Sequence, residues 1–265
     1  MESTTAEGIR LQLFAPPYDK FDAAADRFLD SREPARGRAL VWWLEDGVGQ
    51  EPEYERLSRR APGVPLIVLL PAASEIRRTL PLLNRVLSLH PRSVLPAPYL
   101  GTPEYLRQVL AAPPRSIADA VTRYLKRRGV LTDASLEREV KRIFELAPEV
   151  PSVTRLARRM YTSRRTLGRH FALSRVPVPS HWLQFARLFH VTILLQNESS
   201  AVFRVATRAG YPDGFTMSNQ MKRLIGYRPT EVRAWLGWEW VIEAWLSREA
   251  AAGHVHLRDD DKGKP

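Results

Sequence analysis

The chain has 265 residues, 44% of them hydrophobic, enough for one large or two ordinary domains. It has no cysteine, which excludes a disulfide framework, a thiolate zinc site and a cysteine nucleophile. The net charge of +11 is uneven: residues 152–233 hold 14 Lys+Arg against 3 Asp+Glu, while the rest of the chain sums to zero. Such concentration marks a segment suited to polyanions. The N-terminus MESTTAEGIRLQLF has no basic stretch leading into an apolar core, and no run of 18 apolar residues occurs. A soluble, cytoplasmic protein is expected.

Residues 9–110 alternate apolar runs with amphipathic stretches. The runs are IRLQLF (9–14), RALVWWL (38–44), PLIVLL (65–70) and SVLPAPYL (93–100). Helical patterns lie between them, the third interrupted by Pro81 as a first helical residue or a kink. This order predicts an α/β domain with a small parallel sheet, its central strands buried on both faces. Residues 104–147 then read as successive helices, and PEVP (148–151) as a stiff connection.

Residues 152–171, SVTRLARRMYTSRRTLGRHF, read as helix, turn, helix. Ser152 and Ser163 are N-caps, and Leu156, Ala157, Leu167 and Phe171 face inward. Arg165, Thr166, Gly168 and Arg169 face outward, a donor-rich face of the kind that enters a major groove. Gly168 would permit close approach. Residues 201–225 repeat the plan. Val202, Val205 and Ala206 turn inward, Gly210 ends the first helix, Asp213 caps the second, and Met217, Met221 and Leu224 form its buried stripe. Gly214, Phe215, Ser218, Asn219 and Lys222 share the outward arc. HWLQFARLFHVTILLQ (181–196), apolar almost all round, is the expected buried spacer.

Residues 152–233 resemble the paired helix-turn-helix DNA-binding domain of AraC/XylS-type transcription regulators. The matching residues are Leu156, Ala157, Ser163, Leu167, Arg169 and Phe171; Arg187, Leu188, Leu194 and Leu195 in the spacer; and Val205, Ala206, Gly210, Tyr211, Asp213, Ser218, Lys222, Gly226, Pro229 and Arg233. Tyr161, Val176, Asn219 and Met221 depart from the family pattern. The resemblance implies an all-α domain with two helix-turn-helix units, in a bacterial transcription factor that binds double-stranded DNA in successive major grooves. The N-terminal domain resembles a response-regulator receiver without receiver chemistry. LFAPP stands where an acidic pair is needed, Glu45-Asp46 lie beyond the end of LVWWLED, and Ala97-Pro98 replace Lys-Pro. Aspartyl phosphorylation is therefore not expected.

The domains expected are 1–115 (α/β, receiver-like, regulatory), 116–151 (helical linker), 152–250 (DNA-binding, with a C-terminal helix) and 251–265 (disordered tail). Arg165, Thr166 and Arg169 are expected to read bases in one groove, and Phe215, Ser218 and Asn219 in the next. Arg164, Lys222, Arg223 and the amides after Ser163 and Asp213 are expected at phosphates. The first unit should dominate affinity, the second favouring A·T pairs. Expected partners, besides DNA, are a second copy through the N-terminal domain, RNA polymerase, and a small-molecule or protein effector, with no membrane. No catalytic motif, cofactor or metal site is read. His254 and His256 look like a solvated tail, and Trp235, Trp238, Ile242 and Trp245 like a helix closing the DNA-binding domain's core. A non-specific architectural DNA binder, or an adaptor with a relic helix-turn-helix, stays open.

Overall fold

The structure, a computed structural model, describes residues 11–23, 25–30, 36–44, 51–71 and 83–257. It divides into two compact units, 1–111 with 234–240, and 112–233 with 241–265. Pro81 and Glu45-Asp46 lie outside the described residues.

The first unit is built on four strands, β1 (Leu11–Phe14), β2 (Ala39–Trp43), β3 (Leu66–Leu70) and β4 (Ser93–Pro96), in the order β1-β2-β3-β4. β2, β3 and β4 are parallel, with Val41 opposite Ile67 and Val68 opposite Val94. Successive side chains enter opposite faces, and both faces are covered, so β2 and β3 are apolar throughout. Leu40, Trp42, Leu66 and Val68 pack with Phe28 of α1 (Ala25–Asp30), Leu57 of α2 (Glu51–Ser58) and Val86 of α3 (residues 83–88). A single-turn helix, α4 (Ala97–Leu100), follows β4 and takes up the Ala97-Pro98 pair. On the other face, Phe14, Val41, Ile67 and Leu69 pack with Leu106 and Leu110 of α5 (Pro103–Ala111).

The four-stranded sheet with flanking helices is as expected, but β1 corrects the all-parallel reading. It runs antiparallel to β2, with Leu13 opposite Leu40. The order also differs from the 2-1-3-4-5 order of a receiver. Apolar patterning reports which faces are buried and carries no information about strand direction. On its far edge β1 is met by the chain turning back, where Leu13 and Asp22 exchange two backbone hydrogen bonds.

Residues 234–240 complete this unit. Leu236 joins the Phe14 face of the sheet. The buried Tyr18 hydroxyl donates to Gly37 O at 2.5 Å and accepts the Leu236 N–H at 2.8 Å; burial raises its pKa above the ordinary phenol value. Arg92 bonds Glu239 at 3.0 Å and Leu110 O at 3.1 Å, with its guanidinium 5.3 Å from the Trp238 ring centre. The single Trp-rich helix expected from 235 to 245 is broken: Gly237 has φ +86, and the helix starts at Glu239. Leu236 and Trp238 are therefore core of the first unit.

The second unit is helical: α6 (Ile117–Arg127), α7 (Ala134–Leu146), α8 (Val153–Arg159), α9 (Arg164–Leu173), α10 (Pro179–Asn197), α11 (Val202–Arg208), α12 (Gly214–Ile225), α13 (Pro229–Ala234) and α14 (Glu239–Ala251). Ser116 caps α6 through Asp119 N, and Asp133 caps α7 through Ser135 N and Leu136 N. The segment expected as a linker is built into this core instead. Phe144 of α7 meets Phe185 and Phe189 of α10 edge-on, at 6.1 and 6.0 Å. Glu243 of α14 accepts from Tyr124 Oη and Arg128 Nε, both at 2.8 Å. Trp245 stacks on Phe185 with centres 4.2 Å apart and planes 4° from parallel. Nor does order stop at residue 250. α14 ends in a left-handed Gly253 (φ +75), and Val255 is buried. Residues 258–265 lie outside the described residues. No helix among the described residues is long and apolar enough to cross a membrane.

Candidate nucleic-acid interface

The second helix of each helix-turn-helix unit is set by a cap and a tight turn. Ser163 Oγ accepts the Thr166 N–H at 3.0 Å and starts α9; Asp213 Oδ1 accepts the Thr216 N–H at 2.6 Å and starts α12. That amide, with the Thr216 hydroxyl, holds the Asp213 carboxyl below its ordinary pKa. The turns before these caps share one hydrogen-bond pattern. Thr162 N and Tyr161 N bond Ala157 O and Arg158 O; Tyr211 N and Gly210 N bond Ala206 O and Thr207 O. Each is a helix end closed by one left-handed residue, Tyr161 at φ +54 and Gly210 at φ +76.

The two halves of the unit repeat at an offset of 49 residues. Arg159 pairs with Glu149 at 2.7 Å, and Arg208 pairs with Glu198. The repeat reaches upstream of the turns. Leu136, Val140, Phe144 and Leu146 of α7 are buried, as are Phe185, Phe189, Ile193 and Leu195 of α10 at the same offset. α7 is thus to the first helix-turn-helix what α10 is to the second. After the turns the offset becomes 50, because Tyr211-Pro212 spans what Thr162 spans alone. Buried Leu167 and Phe171 of α9 then match buried Met217 and Met221 of α12.

This register fixes the outward faces. Arg164, Arg165, Thr166 and Arg169 are exposed on α9, with Gly168 half-buried. On α12, Phe215, Asn219, Lys222 and Arg223 are exposed, with Gly214 and Ser218 half-buried. Arg165 corresponds to Phe215, and Arg169 to Asn219. The side chains of Arg164, Arg165, Arg169 and Lys222 make no hydrogen bond or ion pair among the described residues. Arg223 differs: its guanidinium donates to Gln184 Oε1 on α10 at 2.9 Å, which turns it toward its own domain. A Cβ on Gly168 would meet nothing within 4 Å, and one on Gly214 would sit 3.6 Å from Phe203 Cα.

Two exposed side chains of this face escape a reading of the sequence. Phe203, 62% exposed, lies on α11 beside the start of α12. Thr216 is exposed at the place Thr166 holds on α9. The offset of 50 points to Thr216 once both caps are aligned. For Phe203 the signal is weaker: Val205 and Ala206 inward put Phe203 outward.

The anchors are also physical. Arg187 of α10 lies 5.5 Å from the Tyr211 ring centre and holds the second turn. Burial raises the Tyr211 pKa. Arg233 donates to Leu195 O at 3.3 Å and Ser200 O at 2.6 Å, so it fastens the exit of the second unit to the end of α10.

Residues 156–234 match the family model described as "Helix-turn-helix domain". A solved structure of a transcriptional regulator from Chromobacterium violaceum, described as of the AraC-type DNA-binding domain-containing proteins, is 25% identical; the match covers 38% of this chain and 95% of that one, with a TM-score of 0.35. A comparison with curated proteins found no match. Residues 156–234, with the capped helices α9 and α12, are thus a helix-turn-helix domain of the AraC type.

Proposed function

We propose that this regulator recognises a specific DNA sequence by laying α9 and α12 into successive major grooves. The observation that carries this reading is the pair of outward faces. They hold the side chains of Arg164, Arg165, Arg169 and Lys222, without partners among the described residues, beside Thr166, Phe215, Ser218 and Asn219, on helices whose opposite sides are buried. Arg165 and Arg169 would take guanine edges, and Asn219 an adenine edge; Phe215 would touch a thymine methyl. Gly168, Gly214 and Ser218 would leave room for the groove floor. Arg164, Lys222 and the amides behind Ser163 and Asp213 would hold phosphates. Arg223 supports α12 through Gln184 rather than the backbone of the duplex.

The α/β unit would supply control, through self-association into a homodimer or through a small-molecule or protein effector. The DNA-bound protein would contact RNA polymerase.

The test is selection of binding sites from random duplexes, followed by titration of selected and scrambled duplexes at fixed salt. The expected outcome is tighter binding to the selected duplex by at least about 10³-fold. Equal affinity for both duplexes would replace this reading with a non-specific architectural role. Absence of salt-dependent binding to any duplex would point to an adaptor.

A further inference from the structure

The side chains of His181, Glu249 and His254 converge at the end of α14. His181 Nδ1 lies 3.0 Å, and His254 Nδ1 2.8 Å, from the same oxygen, Glu249 Oε2. The two imidazole centres are 5.1 Å apart. One donor atom from each residue lies within 4.8 Å of the others.

The backbone builds this arrangement. α14 ends with Gly253 N bonded to Ala250 O and His254 N bonded to Glu249 O at 2.8 Å, with Gly253 left-handed. This six-residue closure lays His254 back over Glu249, and buried Val255 pins the chain beyond it. His181 comes from the first turn of α10. His181, 68 residues before Glu249, and the local pair Glu249 and His254 are therefore held by two helix ends and a fixed turn.

Charge asks for a cation there. Glu249 is buried, and among the described residues its ion-pairing partners are the two histidines alone. A desolvated carboxylate whose ion-pairing partners are imidazoles, which carry charge only when protonated, is a place where a bound cation supplies counter-charge. Two imidazole nitrogens and one carboxylate oxygen are the donor set of an open zinc site, with a fourth position for water. Metal–ligand distances of about 2.0–2.1 Å set tetrahedral ligand–ligand edges of roughly 3.3 Å, so the two histidine–carboxylate separations of 3.0 and 2.8 Å need only widen by a few tenths of an ångström. Nitrogen-rich donors favour Zn²⁺ and its first-row neighbours over Mg²⁺ or Ca²⁺.

We propose that His181, Glu249 and His254 form a binding site for a divalent transition-metal ion, Zn²⁺ foremost, which ties the end of α14 to the start of α10. The site is separate from the faces of α9 and α12 assigned to DNA, so its test does not depend on that assignment.

The full chain, free of any polyhistidine tag, is titrated with Zn²⁺ against a chromophoric chelator, and with Co²⁺ by visible absorption. The expected result is one Zn²⁺ per chain, a four-coordinate Co²⁺ spectrum and a raised Tm with Zn²⁺. His181→Ala and His254→Ala should each weaken binding by at least about tenfold, and His256→Ala should leave it unchanged. If His181→Ala loses its helical circular dichroism, His254→Ala decides, since that side chain is exposed and its backbone bonds do not need the imidazole. No stoichiometric binding by the native chain, or undiminished binding by His254→Ala, would overturn the proposal.

Discussion

Tyr161 and Gly210 hold the same place in the two helix-turn-helix turns, each the left-handed residue that closes a first helix, at φ +54 and +76. An L-residue pays for that conformation roughly 1–2 kcal/mol. Tyr161 is 98% exposed, so its ring contributes no packing in return. Tyr161→Gly should therefore stabilise the helical unit by about 0.5–1 kcal/mol, after the entropy gained by the unfolded chain. Gly210→Ala should destabilise it by about 1 kcal/mol, through the backbone alone, because a Cβ there would meet only Arg187 Nη2 at 3.8 Å. Urea denaturation followed at the helical signal checks both. Equal stability of Gly210→Ala and the native chain would contradict the strain argument.

A second prediction concerns Tyr18, whose hydroxyl bridges Gly37 O and Leu236 N. Tyr18→Phe keeps the ring and leaves a buried carbonyl and a buried amide without partners. Each orphan costs about 1–3 kcal/mol unless water reaches it. Loss of about 2 kcal/mol from the α/β unit is expected, with faster hydrogen exchange at the Leu236 amide. Native exchange at that amide in the variant would show that the bridge does not hold the 234–240 segment.

Much of this architecture was legible in the sequence, and the gaps have physical causes. The caps Ser163 and Asp213, the buried pairs Leu167/Phe171 and Met217/Met221, and the turn at Gly210 follow from spacing, because local chemistry decides them. The full repeat was harder to see. α7 and α10 bury equivalent positions, but Leu136 and Val140 answer to Phe185 and Phe189, so only volume and spacing persist. The repeated Glu149/Arg159 and Glu198/Arg208 pairs were the legible trace. The direction of β1 was not encoded in periodicity. The segment 235–240 misled because its tryptophans fit a helical spacing while Gly237 breaks the helix. The convergence of His181 with His254 is tertiary, and no local pattern announces it.

His190 gives a pH prediction. Its Nε2 lies 3.1 Å from Phe144 O, joining α10 to α7. Desolvation lowers its pKa below the ordinary 6.5, against the smaller opposing effect of the hydrogen bond. The folded state therefore resists a proton that the unfolded chain accepts. The stability contributed is fully present above about pH 6.5 and is lost as pH falls from there toward the lowered folded value. Comparing the native chain with His190→Gln, which keeps a donor for Phe144 O, isolates the effect. The native chain should lose more stability than the variant between pH 7.5 and 5.5. Parallel losses in the two proteins would assign the pH dependence to other groups.

The proposed division of the outward faces between base reading and phosphate holding can be tested by two substitutions. Arg169 is exposed midway along α9, where a guanidinium matches a guanine edge; Lys222 is exposed in the last turn of α12, as a point charge. Arg169→Ala should cost about 1–3 kcal/mol on the selected duplex and relax preference at one base position. Lys222→Ala should weaken selected and scrambled duplexes alike and reduce the log–log salt slope by about 0.9. Arg223→Ala should change the salt slope little, because its guanidinium is committed to Gln184, and should instead lower the stability of the helical unit. Titrations of selected and scrambled duplexes across a salt series check all three. An unaltered preference in Arg169→Ala would remove α9 from base recognition, and a full phosphate-sized slope change in Arg223→Ala would return that side chain to the DNA.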